Sequence, residues 1–275
     1  MTAPQRVYNV VPSDKKPTDR RTRLTAPKPL PPRMDLREQG IVPEVWDQGP
    51  IGSCTGHGGG AAHEIERRRQ KFTPRTPSRL ALYYFERELE GDINDDAGAQ
   101  IRTCIKAMNQ VGVPREELWP YDVTKFRDKP APAAYMDAGD HQLVSSSWLD
   151  ETPEAICAAL ADGRPVVFGF TVFESFESAE TARTGVVPMP AKGEKSLGGH
   201  CVAAVGFEIT DAGTPRTGPF AWLLNAVLGP PKLDGYLLVR NSWSAGWGLQ
   251  GYFKLPFAFV RKYVFDPATI DAVEA

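Results

Sequence analysis

A chain of 275 residues that is 41% hydrophobic and 24% charged is long enough to bury a substantial core and has the composition of an ordinary water-soluble protein. Lys plus Arg number 32 against 34 Asp plus Glu, a net charge of −2, which argues against the basic surface that nucleic-acid binding uses. The four cysteines, Cys54, Cys104, Cys157 and Cys201, form no CxxC pair and are too few for a disulfide scaffold, so free thiols, no metal and no cofactor are expected. The opening MTAPQRVYNVVPSDKKPTDRRTR sets charges and prolines where a secretory leader needs an apolar run, and no segment approaches the ~20 apolar residues of a membrane span. A cytoplasmic protein with no membrane partner is the expectation, with export by a route that needs no signal peptide left open.

In chain order, residues 1–33 come first. Polar, proline-rich and ending in APKPLPP, they favour extended polyproline II over a packed element and read as an arm that covers a cleft, with residues 34–275 as the folded domain. After the glycine-rich DQGPIGSCTGHGGG, helix formers run from Ala61 to Lys71. SRLALYYFERELEG sets Leu80, Tyr83, Tyr84 and Arg87 at helical spacing with Gly91 as the stop, and AGAQIRTCIKAMNQVG puts Ile101, Cys104, Ile105 and Met108 on one stripe. A further helix in TPEAICAALADG has Thr152 as cap and Pro153 in its first turn. Strand-like runs follow: RPVVFGFTVF, GHCVAAVGFEI, FAWLLNAVL, GYLLVRNSW and GYFKLP. Helices first and strands afterwards predict an α+β protein of two segregated halves, a helical lobe over about 46–125 and a β lobe over about 130–270, with a site in the cleft between them.

The chemistry centres on Cys54. A helix that starts at or just after it aims unpaired N–H groups and a positive dipole end at the sulfur, which favours the thiolate. A thiolate nucleophile needs a base, and the chain has four histidines. His57 and His63 follow on the same helix and are badly placed to face the sulfur across a cleft, and His141 sits in a polar stretch. His200, in LGGHCVAAVGF, opens a strand of the other half. Such a pair needs a third group to hold the imidazole's orientation and tautomer. Asn241, in LVRNSWSAGWGLQGYF, stands at a strand end, with Trp243 and Trp247 after it to keep water from an Asn–His hydrogen bond. Gln48, six residues before Cys54, supplies a side-chain amide beside the Cys54 N–H for a developing oxyanion. Cys104 and Cys157 read as core residues, His57 as a helix-surface residue, and ERRRQK as a solvated helix end.

DQGPIGSCT, GGHCVAAVGF and RNSWSAGWGLQGYF together resemble the papain-like cysteine proteases, and PSRLALYYFERELEG, DDAGAQIRTCIKAMNQVGVPREELWPYD and PVVFGFTVFESF are similar to a bacterial branch of that family. His200 lies 200 − 54 = 146 residues after Cys54, within the window of roughly 130–150 for this family. The resemblance runs over roughly residues 34–270. It implies a two-lobed fold with a helical lobe and an antiparallel, barrel-like β lobe, and a thiol protease that uses Cys54, His200, Asn241 and Gln48 on a peptide or protein substrate. It also implies that Gly198, Gly199, Cys201 and Trp243 line the substrate groove.

The sequence departs from the family at several points. Ile51 stands where a cysteine is usual, Thr55 replaces the bulky aromatic after the nucleophile, and 208–235 reads as an insertion between His200 and Asn241. The N-terminal arm is much shorter than the helical prosegment of animal and plant relatives, and is expected to act as the chain's own inhibitor. Gly56, Gly58, Gly59 and Gly60 weaken a helix by about 0.5–1 kcal/mol each, which makes sense if another segment approaches that helix closely. Cys201 either narrows a substrate pocket or points into the core. Acyl transfer to an amine and a silent peptide-binding module are the alternative functions.

Overall fold

The computed structural model describes residues 6–15, 30–213 and 232–275. The helical lobe is built on α1 (Cys54–Arg69), which packs between α2 (Arg79–Glu90) and α3 (Ile101–Gln110) on one side and the sheet on the other. α2 begins where the Ser78 hydroxyl accepts from the Ala81 N–H and ends at Gly91, whose φ of 78° closes the helix in the left-handed region. Its buried stripe includes Leu80, Tyr83 and Arg87, whose guanidinium stacks on Tyr83 and bonds the Ile93 and Asp95 carbonyls.

The glycines of α1 have the expected reason. A methyl group on Gly56 would sit 2.6 Å from the Arg79 carbonyl oxygen, one on Gly59 2.4 Å from Cys104 Sγ, and one on Gly58 3.1 Å from Cys201 Sγ. Sheet and helices therefore close on α1 from several sides, and tight packing offsets the poor helix propensity of GHGGG. The far end of α1 departs from expectation. ERRRQK is only partly a solvated end: Arg69 and Lys71 are exposed, but Glu66 and Arg67 are buried together with Glu64, Arg68 pairs with Glu64, and Arg69 pairs with Glu66. The C-terminal strand passes over this end, where Arg67 bonds the Glu274 carbonyl.

The other lobe is an antiparallel sheet of β2 (Leu143–Trp148), β7 (Val264–Val273), β3 (Val166–Phe173), β4 (Ser196–Asp211), β5 (Asp234–Arg240) and β6 (Tyr252–Pro256) in that order, with β1 (Arg33–Asp35) beside β4. The sheet does not close on itself among the described residues, so the expected barrel-like lobe is an open, wrapped sheet. α4 (Pro132–Gly139), α5 (Pro153–Ala161), α6 (Ala179–Thr184) and α7 (Phe257–Tyr263) complete the fold. α5 starts as the sequence predicts, with Thr152 accepting from the Ala155 N–H and Pro153 in the first turn.

β2 and β7 escape sequence reading for physical reasons. LVSSSW carries three serines, and VFDPATIDAV carries a proline. Pro267 lies where the β3–β7 register slips, between the pairs Val167↔Ala268 and Gly169↔Phe265, so no ladder hydrogen bond is lost to it there. FAWLLNAVL falls outside the described residues.

Candidate active site

Adjacent strands create the site. β4 pairs with β5 so that Ala203 faces Arg240, which brings His200 beside Asn241, the residue that follows the end of β5. His200 Nε2 donates to Asn241 Oδ1 at 2.9 Å. The Ser242 N–H donates to the same oxygen at 2.9 Å, which fixes the amide the right way round, because a backbone N–H needs an oxygen partner. His200 therefore carries its proton on Nε2 and leaves Nδ1 free as the basic nitrogen; Nδ1 is buried and has no hydrogen-bond partner among the described residues.

The imidazole is held from its faces as well. Trp243 stacks on it with ring centroids 5.2 Å apart and 26° between planes, and Phe170 meets it edge-on. Trp247 and Phe176 close around Trp243 in turn. The expected shield of the Asn–His bond is in place.

On the opposite wall Cys54 is the first residue of α1 and fully buried. The cap residue Ser53 caps no helix N–H; its hydroxyl meets the Tyr121 hydroxyl at 2.6 Å and lies 3.4 Å from His57 Nδ1, and Tyr121 donates to the Gln48 carbonyl at 2.8 Å. The first N–H groups of α1 thus keep their positive end for the cleft. Gln48 is fixed at both ends of its amide, accepting from the Ser242 hydroxyl at 2.6 Å and donating to the Ile51 carbonyl at 3.0 Å, which leaves one N–H of the amide for another acceptor. The Gln48 N–H donates to the Ser242 carbonyl at 2.9 Å, so the segment before α1 and the turn after β5 are stitched together.

The arm lies in this cleft. The Gly199 N–H donates to the Tyr8 carbonyl at 3.2 Å and the Val10 N–H donates to the Gly199 carbonyl at 3.3 Å. A side chain on Gly198 or Gly199 would come within 2.1 Å of the Tyr8 oxygen or 2.0 Å of the Val10 oxygen. Tyr8 packs edge-on against His200 and bonds Glu177, Asn9 bonds the Asp96 carbonyl, and the Ser13 N–H donates to Asp266 at 2.6 Å. Val10 is buried in the same apolar cluster as Cys54 and Cys201. Cys201 is buried, with its sulfur against Gly58 of α1.

Burial disfavours the charged forms of Cys54 and His200. Burial pushes the Cys54 thiol up to about 12; the Cys201 N–H opposes this and the nearby Glu86 adds to it. Burial pulls His200 down to about 4, against the bond to Asn241, with the Arg6 cation pushing the same way as burial. Beneath Cys54, Glu86 is fully buried and raised to about 8 by burial, partly relieved by the hydroxyl of Thr55. Nothing in the sequence marked Glu86 except that it stands four residues from Leu82 on a buried helix face.

His57 is not on the surface. It is fully buried, bonds the Ser53 carbonyl at 3.0 Å and stacks edge-on against Tyr121, because α1 is enclosed all round. Cys104 and Cys157 are buried as expected. All four cysteines are free thiols, and no cluster of metal-binding type occurs among the described residues.

The family described as papain family cysteine protease matches residues 30–259. The chain belongs to that family. It is 39% identical over 262 residues to an uncharacterized peptidase C1-like protein of Acanthamoeba polyphaga mimivirus, covering 90% of this chain and 76% of the relative. It is 26% identical to cysteine proteinase 2 of Zea mays over 239 residues, and there it spans only 55% of the relative's length. In structure it is similar to xylellain, a cysteine protease from Xylella fastidiosa, with a TM-score of 0.80 and 30% identity over 100% of this chain and 99% of that one. The fold is also that of digestive procathepsin L 3 of the Tenebrio molitor larval midgut, with a TM-score of 0.64 and 18% identity over 90% and 74% of the two chains. For a papain-family cysteine peptidase, a cysteine and histidine on facing walls are the expected peptidase pair.

Proposed function

We propose that this peptidase is an endopeptidase in which Cys54 attacks the scissile carbonyl and His200 Nδ1 takes the thiol proton and returns it to the leaving amine. Asn241 holds the tautomer that makes this possible, and the free N–H of Gln48 with the Cys54 N–H binds the oxyanion. The observation that carries the reading is the orientation of His200: one amide oxygen, fixed by Ser242, leaves Nδ1 as the basic nitrogen. Gly198, Gly199 and Trp243 serve as substrate contacts, in keeping with their contacts to the arm. Cys54→Ala in the full-length chain should abolish peptide hydrolysis, and turnover that survives it would contradict the assignment.

We propose further that residues 1–33 are a built-in inhibitor of the domain formed by residues 34–275. Tyr8 to Val10 occupy the groove beside His200, with the arm running in the direction opposite to a substrate, and burial disfavours the charged forms of Cys54 and His200, whereas hydrolysis needs a thiolate. That a similar fold occurs in a procathepsin is in keeping with a covered form. Full-length Tyr8→Ala should hydrolyse peptides faster than the unaltered chain, and equal rates would remove the arm as inhibitor. Four free thiols suit a reducing compartment, and the cytoplasm is the location we propose; no helix among the described residues is long and apolar enough to cross a membrane.

A further inference from the structure

The arm reports on the groove it fills. At its start the Arg6 guanidinium stands 5.0 Å above the Trp243 ring, pairs with Asp47 at 3.1 Å and donates to the Gly49 carbonyl at 3.2 Å. Its side chain is only 10% exposed, an unusual degree of burial for a cation. The receptor for it is built: the Gly49 N–H donates to Asp47 Oδ1 at 2.9 Å and fixes the carboxylate, while Trp243 is fixed by its stack on His200. Glu177, which bonds Tyr8, also feels the Arg6 charge and makes this part of the groove doubly acidic.

We propose that Asp47, the Gly49 carbonyl and the face of Trp243 form a substrate subsite for an arginine side chain. Aromatic face, carboxylate and carbonyl together suit a planar guanidinium with several N–H donors better than the point charge of lysine. The position in the substrate follows from His200. The imidazole protonates the leaving amine, so the fragment that departs runs past the ring stacked on that imidazole. The arginine therefore belongs to the first residues after the scissile bond. Val10 occupies the other side of the catalytic pair, in the apolar cluster with Cys201. In the covered state Arg6 fills the subsite, so a substrate arginine competes with the arm for it.

This rests on the peptidase reading, and two measurements separate the failures. Full-length Arg6→Ala, with the subsite vacated, is given peptides that differ only in arginine or citrulline at each of the first three positions after the cut, citrulline being nearly isosteric and neutral. One position should prefer arginine by about tenfold in kcat/KM, and Asp47→Asn in the same background should bring that ratio below about twofold. A ratio near one at all three positions, or a preference that survives Asp47→Asn, overturns the subsite. If no peptide is cut, because the rest of the arm still blocks the groove or because the peptidase reading fails, the subsite is tested by binding. In that case a synthetic peptide of residues 1–15 is titrated calorimetrically into full-length Arg6→Ala/Tyr8→Ala, with arginine or citrulline at position 6. Arginine should bind about tenfold more tightly, and equal binding overturns the proposal.

Discussion

The two walls of the cleft hold their groups by different means. On the sheet wall His200 is fixed by a hydrogen bond to Asn241 and by rings on its faces, all from residues whose places are set by neighbouring strands. On the helix wall Cys54 has no such scaffold. It stands at the start of a glycine-rich helix, over the buried acid Glu86, and what tunes it is the field of helix N–H groups and the degree of burial. Orientation is stored in the sheet and ionisation in the helix. Mutations on the two walls should therefore fail in different ways.

The largest effect belongs to the helix wall. Cys54→Ala should lower turnover by ~10⁴-fold or more, since nothing replaces the nucleophile. Gln48→Ala should cost on the order of 100-fold in kcat through loss of one oxyanion donor, with KM little changed; an unchanged kcat would remove Gln48 from the oxyanion site. Asn241→Ala should cost less, about fivefold, because it removes one neutral hydrogen bond worth about 1 kcal/mol while Trp243 and Phe170 still hold the ring. If Asn241→Ala proved as severe as Cys54→Ala, aromatic packing would not be a second support for the imidazole.

Two smaller effects are read in stability. Gly59→Ala places a methyl group against Cys104 and should destabilise by about 1–3 kcal/mol in chemical unfolding. Glu86 sharpens the electrostatic side. Its folded-state pKa, about 8, lies above that of an unfolded glutamate, so the native state binds the extra proton between the two values and stability falls as pH rises through that window. Glu86→Gln cannot ionise and should flatten this part of the stability–pH curve. A fall of the same size in Glu86→Gln would assign it to other groups.

The sheet wall and the order of the site along the chain were legible in the sequence, because GHC lies within a strand, which opens at Ser196 rather than at His200, and RNSW marks a strand's end, and their partners follow from antiparallel pairing. The helical stripes of α2 and α3 were legible for the same reason of period. What was hidden depended on contacts from distant parts of the chain. His57 looks solvated until α2 and the Tyr121 segment close on α1. Glu66 and Arg67 look like a surface run until β7 covers them. β7 itself was masked by Pro267, tolerated only because the register slips there. APKPLPP lies mostly outside the described residues, and nothing in VYNVV or in the lone Arg6 announced which groove residues they meet.

The central claim is that Cys54 and His200 form one reactive pair that the arm holds uncharged. The direct test is the rate of Cys54 alkylation by iodoacetamide against pH, with the labelled residue located by mass spectrometry, in the full-length chain and in full-length Arg6→Ala/Tyr8→Ala. The unaltered chain should react slowly and gain rate only at strongly alkaline pH, as a thiol pushed up to about 12 requires. The variant should react many times faster at neutral pH, because water and an unopposed imidazole restore the thiolate. Equal, slow alkylation of both proteins across the pH range would contradict the account.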